Sequence, residues 1–213
     1  TGPFTLALHL KGTDIFYDMV DEPEEVEKLM DFTKEVAKAM AEMYIDAGVD
    51  VVALVDPMTS QISPDNFDEF VKPYAAYVFD YIHERGKFGS MFVCGNATRN
   101  LDSMCETHCD NLCVDENVDL SKCMEIGKKH GVSAGGNIKL TLTMLFGTPY
   151  DNMTDAANCM QIGGNRGFIL SPGCDMPYAT PPENVQAVTK TVYGDVKDIF
   201  SQGNVMDGVT FEL

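Results

Sequence analysis

Two periods of apolar positions alternate along the chain. From Asp21, whose carboxylate suits an N-cap with Glu24 three residues on, the residues Val26, Leu29, Met30, Thr33, Val36, Ala37, Met40, Met43 and Tyr44 recur at helical spacing. They form one stripe, which Gly48 ends. Val51 to Val55 follows as a continuous apolar, β-branched run closed by Asp56-Pro57, the pattern of a parallel strand buried on both faces. Ser63-Pro64 then supplies an N-cap and first turn for a helix carrying Phe67, Phe70, Val71, Tyr74, Val78, Tyr81 and Ile82. Pro73 kinks or splits that helix, and Gly86 stops it.

The same alternation continues to the end. It predicts strands over 89–94, 111–115, 133–138 and 167–171, separated by helices over 97–107, 120–130 and 151–162, with a long last helix over 182–200. A further apolar run over 5–8 reads as a strand, giving six. Strands alternating with helices mean a parallel sheet with right-handed crossovers. Pro and Gly clusters fall at strand ends rather than between blocks, so residues 1–213 form one domain. Six strands make either an open doubly wound sheet or six-eighths of a (β/α)8 barrel.

Charge narrows the partners. Lys and Arg total 15 against 33 Asp and Glu, a formal net charge of -18, so the surface repels nucleic acid and anionic membranes. No stretch approaches the roughly 20 apolar residues of a membrane-spanning helix, and the chain reads as cytoplasmic. Seven cysteines, an odd number, suit the reduced thiols of a cytosol better than a disulfide framework. The start at Thr1, running straight into an apolar segment, reads as the later part of a longer protein.

In either architecture ligands bind where the strands end. Those positions hold Asp56; Cys94, Gly95 and Asn96; Asp115, Glu116 and Asn117; Gly136, Asn137 and Lys139; and Gly173, Cys174 and Asp175. Asp and Asn also cap following helices, and Cys also fills small holes, but the set as a whole points to a site. Cys94 and Cys174 each follow a strand and adjoin a glycine; as thiolates they suit Zn²⁺, whose catalytic sites take three protein ligands. Cys105, Cys109, Cys113, Cys123 and Cys159 read as core fillers, and His9, His83 and His130 as surface residues.

Gly2-Pro3-Phe4-Thr5-Leu6, Asp56-Pro57 with Ile62-Ser63-Pro64, Cys94-Gly95-Asn96, Asp115-Glu116, Gly136-Asn137, and Gly173-Cys174 with Thr180-Pro181-Pro182-Glu183-Asn184 together resemble the uroporphyrinogen decarboxylase superfamily. That resemblance implies a (β/α)8 barrel of which this chain is the C-terminal portion, lacking the first one or two strands. It also implies one of two activities. True decarboxylases carry Gly-His at the last strand end. The methylcobamide-dependent methyltransferases carry Cys there and a zinc-binding His-x-Cys-Gly-Asn earlier. Here the pair is Gly173-Cys174, and Phe92 replaces that histidine.

The implied function is therefore transfer of a methyl group from a methylcorrinoid to a coenzyme M-like thiol or to tetrahydrofolate, in the one-carbon metabolism of anaerobes. A corrinoid-binding protein would be the partner, with a second copy or second chain completing the barrel. Cys94 and Cys174 would hold zinc, with Glu116 and then Asp56 as replacement third ligands. Without zinc, Asp56, Glu116 and Asn137 would hold a pterin. Asn96, Gly95 and Gly136 would line the cofactor. The rival expectations are a porphyrinogen decarboxylase and a noncatalytic binding subunit.

Overall fold

A computed structural model of the chain describes residues 1–194. Helices α1 (Pro3–Lys11), α2 (Ile15–Asp21) and α3 (Pro23–Asp46) precede strand β1 (Val51–Val55). Then come α4 (Pro64–Phe70), α5 (Lys72–Glu84), β2 (Phe88–Val93), α6 (Leu101–Cys105), β3 (Asn111–Val114), α7 (Leu120–His130), β4 (Ser133–Ile138), α8 (Pro149–Gly163), β5 (Phe168–Pro172) and α9 (Pro182–Val192). The strands lie in the order β1-β2-β3-β4-β5, every pair parallel. Chain order and spatial order coincide, as the helix–strand alternation requires.

The sheet is curved, and the side chains show why. Val55, Phe92, Cys113, Gly135 and Ile169 form one row across the five strands. β3 and β5 are two strand spacings apart, about 9.6 Å in a flat sheet. Yet Cys113 Sγ lies 3.2 Å from Ser171 Oγ, reaching across β4. Gly135 lies between them, and a Cβ there would sit 3.3 Å from Cys113 Sγ. A strand with no side chain at that inner position lets its neighbours fold toward each other.

The convex face carries the core. Val52, Leu54, Met91, Val93, Leu112, Val114 and Ala134 are buried with Phe67, Phe70, Phe79 and Ile82 of α4 and α5. The concave face is different, because no described residue covers Val51, Phe88 and Ile169, which are all exposed. This corrects the expectation that β1 is buried on both faces; its exposure alternates along the strand. Mid-sheet, Ser90 donates to Asn111 Oδ1 at 2.9 Å and Asn111 Nδ2 donates to Ser133 Oγ at 3.0 Å, a polar row on the open side.

Other boundaries also differ from expectation. Residues 5–8 lie inside helix α1, so the described strands number five and the sheet's edges are β1 and β5. A four-residue apolar run cannot by itself distinguish strand from helix; here Pro3 in the first turn and a remote cap decide it. α3 starts at Pro23 rather than after Asp21, since proline suits a first helical turn. The helix over 63–85 breaks at Val71, just before Pro73. Helix 97–107 shrinks to a 3₁₀ turn plus α6, and the part of helix 182–200 beyond residue 194 lies outside the described residues.

The remote cap is Asp56. Gly2 N–H donates to Val55 O at 2.7 Å, bringing the start of α1 onto the end of β1. The buried Asp56 carboxylate accepts Phe4 N–H at 3.1 Å, Thr5 N–H at 2.7 Å and the Thr5 hydroxyl at 2.5 Å. An anion at a helix N-terminus is favourable, but burial outweighs these donors and pushes the Asp56 pKa up to about 6. The folded chain thus holds this proton more tightly than the unfolded chain. Asp56 therefore adds stability at low pH that is lost as pH rises from about 4 to about 6. In denaturant titrations across that range, Asp56→Asn should flatten this component. At pH 7, Asp56→Ala should cost about 1–3 kcal/mol, because the Phe4 and Thr5 N–H groups are left buried without an acceptor.

Candidate functional site

Because all five strands are parallel, their carboxyl ends share one rim, and the sequence-predicted residues sit along it. β2 and β5 are three strand spacings apart, about 14 Å if the sheet were flat. The Cα atoms of Cys94 and Cys174, just past those strands, are only 5.9 Å apart, and their sulfurs are joined in a disulfide. Curvature and inward-turning loops bring the two together. The pairing corrects the expectation that every thiol is free; the other five cysteines are free.

Backbone contacts fix both cysteines. Gly173 N–H donates to Ile138 O at 3.0 Å, which continues the β4–β5 ladder up to Cys174. A Cβ on Gly173 would lie 2.7 Å from the Glu116 amide nitrogen, so the loops after β3 and β5 are in contact. Gly95 has φ +80°, and a Cβ on it would lie 2.9 Å from Ser60 Oγ. Asn96 is exposed, and its side-chain oxygen accepts Thr98 N–H in a local turn.

The carboxylates and amides are engaged as well. Glu116 is half-buried and accepts Leu140 N–H through Oε2 at 2.7 Å. Asn137 donates to Asp115 O at 3.2 Å and to Val118 O at 2.8 Å, holding the loop after β3 in shape. Gly136, at φ +125°, packs so closely that a Cβ would lie 2.6 Å from Val114 O. Lys139 pairs with Asp155 at 2.9 Å, which raises the lysine pKa. Arg99 donates to Ser60 O at 3.2 Å. Asp56 is spent on α1: its two oxygens meet the helix N-terminus.

These contacts bear on zinc. Among the described residues no three His, Cys, Asp or Glu side chains are placed to hold one ion. Phe92 has no donor atom, Asp56 is turned away into α1, and Glu116 is tied to the loop after β4. The donor set is two thiols without a third ligand, which does not fit a zinc ion with three protein ligands.

Three features escaped sequence reasoning. Cys113 is half-buried on the concave face beside Ser171, whereas Cys105, Cys109, Cys123 and Cys159 are buried. A π-helical turn, Leu140–Leu145, follows β4. Asparagines tie the rim loops: Asn100 donates to Thr59 O and Ile62 O, Asn152 to Thr143 O and Thr148 O, and Asn184 to Met144 O and Gly147 O. Only Asn184 stood within a motif already noted in the sequence. Gly173→Ala should force the Glu116 backbone aside and cost about 1–3 kcal/mol in a denaturant titration.

The model of the uroporphyrinogen decarboxylase (URO-D) family matches residues 1–194. The methylcobamide:CoM methyltransferase MtbA of Methanosarcina acetivorans is 28% identical over 191 residues, covering 89% of this chain and 55% of that protein. Its counterpart MtaA of Methanosarcina barkeri is 30% identical, covering 88% and 54%. A uroporphyrinogen decarboxylase of Synechococcus sp. is 30% identical, covering 87% and 54%. The chain thus spans about half the length of these relatives. A solved methyltransferase from Methanosarcina mazei superposes with a TM-score of 0.82 at 25% identity, covering 91% of this chain and 57% of that one.

Proposed function

The chain belongs to the uroporphyrinogen decarboxylase family, and from that premise we propose that it is the site-bearing part of an enzyme that moves a methyl group from a methylcorrinoid to a small thiol. The observation that carries this reading is the pairing of Cys174 with Cys94 on a rim poor in free cations. A porphyrinogen bears many carboxylates. Lys139 is already paired with Asp155, and the chain as a whole is strongly acidic, so such a substrate would meet repulsion. A cobalt-bound methyl group is neutral, and the protein carrying the corrinoid brings its own docking contacts.

In this reading the acceptor sulfur sits beside the reduced Cys94 and Cys174. It loses its proton to Glu116 Oε1, the carboxylate oxygen that Leu140 does not engage, and attacks the methyl carbon; the sulfur–carbon bond forms as the cobalt–carbon bond breaks, leaving its electron pair on cobalt. The protein supplies orientation, which suffices for an in-line transfer. Asn137 and Asn184 keep the loops in place. Leu142, Phe146, Met176 and Tyr178, exposed on the loops after β4 and β5, offer a rim edge to the corrinoid-binding protein. A thiol acceptor is favoured over a pterin, because Asp56, needed to grip the pterin, is occupied by α1. The open concave face is closed by the remaining strands of a (β/α)8 barrel, supplied by the same protein or by a second chain.

The test uses full-length protein with methylcobalamin and 2-mercaptoethanesulfonate under reducing conditions, following demethylation by absorbance. Turnover should fall about 10²-fold or more in Glu116→Gln, the usual range for loss of a positioned acid–base group, and at least about tenfold in Cys174→Ala through lost positioning of the acceptor. The decarboxylase relatives keep a second outcome in view. Carbon dioxide released from a porphyrinogen, with methylcobalamin turnover unchanged in both variants, would establish that activity instead.

A further inference from the structure

We infer that Cys94 and Cys174 are a reversible two-electron redox pair, a dithiol that a small disulfide oxidises and a small thiol restores. The inference goes beyond the proposed methyl transfer and does not depend on it. It starts from the rim's mismatch with zinc: two thiols meet where no third ligand is placed.

Backbone geometry prepares the pair. The Cα separation of 5.9 Å lies within the span that disulfides bridge without moving the chain. Each Cα is held independently of the sulfurs: Cys174 by the Gly173 N–H on Ile138 O, and Cys94 by the end of β2 with Gly95 packed on Ser60. Reduction therefore leaves the two thiols facing each other.

Accessibility then separates this pair from the remaining cysteines. Cys94 and Cys174 are half-buried on the rim, within reach of a small molecule. Cys105, Cys109 and Cys123 are buried, and burial pushes their pKa values up to about 12, 11 and 12, which keeps them protonated and unreactive. Cys113 faces Ser171 rather than another thiol.

The exchange balances with a dialkyl disulfide as oxidant. The Cys174 thiolate attacks one sulfur of the disulfide, forming a mixed disulfide and releasing one alkyl thiolate. The Cys94 thiolate then attacks Cys174 sulfur, forming the intramolecular bond and releasing the second alkyl thiolate. The two cysteine protons end on the two released thiols. Two electrons pass from the protein to the small disulfide.

The test equilibrates the purified protein with glutathione disulfide and glutathione over a range of ratios. Samples are quenched in acid, denatured, alkylated with iodoacetamide and weighed intact. Reduced protein should take seven alkyl groups and oxidised protein five, with the linked peptides containing residues 94 and 174. Cys94→Ser should trap glutathione on Cys174, and Cys113→Ser should leave the two-thiol loss unchanged. Seven alkylations at every ratio, or a linkage mapped to other cysteines, would overturn the inference. So would one equivalent of zinc retained by the reduced protein after dialysis and released in Cys174→Ala, since the pair would then be a metal site.

Discussion

The sheet's curvature is the constraint on which the site depends. Five parallel strands laid flat would hold the ends of β2 and β5 about 14 Å apart, too far for any side chains there to act together. Gly135 leaves the middle of β4 without a side chain on the inner face, and Cys113 and Ser171 close over the gap. The same bending brings Glu116 against Gly173 and Cys94 against Cys174. Side-chain chemistry at the rim is thus a consequence of the smallest residues in the middle of the sheet.

The rim loops are fixed mainly by polar side chains that clasp backbone carbonyls. Asn100, Asn137, Asn152 and Asn184 each donate twice to a loop, and Glu116 and Asp155 each accept a loop amide. Ile62, Ala97, Val118 and Met144 anchor these loops in the core, and hydrogen bonds to their otherwise orphaned carbonyls fix the rest of the path. Residues at the strand ends therefore divide between holding the loops and facing the ligand. Asp56 and Asn137 do the first, and the proposed site leaves the second to the two cysteines.

Much of this was legible in the sequence, for physical reasons. Long helices with one apolar stripe and β-branched runs bounded by Gly and Pro announce themselves, so β1 to β5 and the parallel order could be read directly. The run at 5–8 could not, because its helical state depends on a carboxylate 51 residues away. Convergence of the strand ends followed from parallel topology. The partners of each rim side chain did not, since Glu116 meeting Leu140 and Asp56 meeting Phe4 are matters of loop path rather than local pattern. Cys113 was misplaced for the same reason: its inward position is fixed by strand register, which one residue of slip would reverse.

The coincidence of chain order and strand order also bears on how the protein is made. Each strand can pair with the one synthesised just before it, once the helical crossover between them is made, so the sheet grows along a single edge as the polypeptide leaves the ribosome. The bond between Cys94 and Cys174 is the exception, because it spans 80 residues and has no partner until β5 is complete. During synthesis Cys94 therefore stays unpaired while Cys105, Cys109, Cys113, Cys123 and Cys159 are added, and it must pass over all five to reach Cys174.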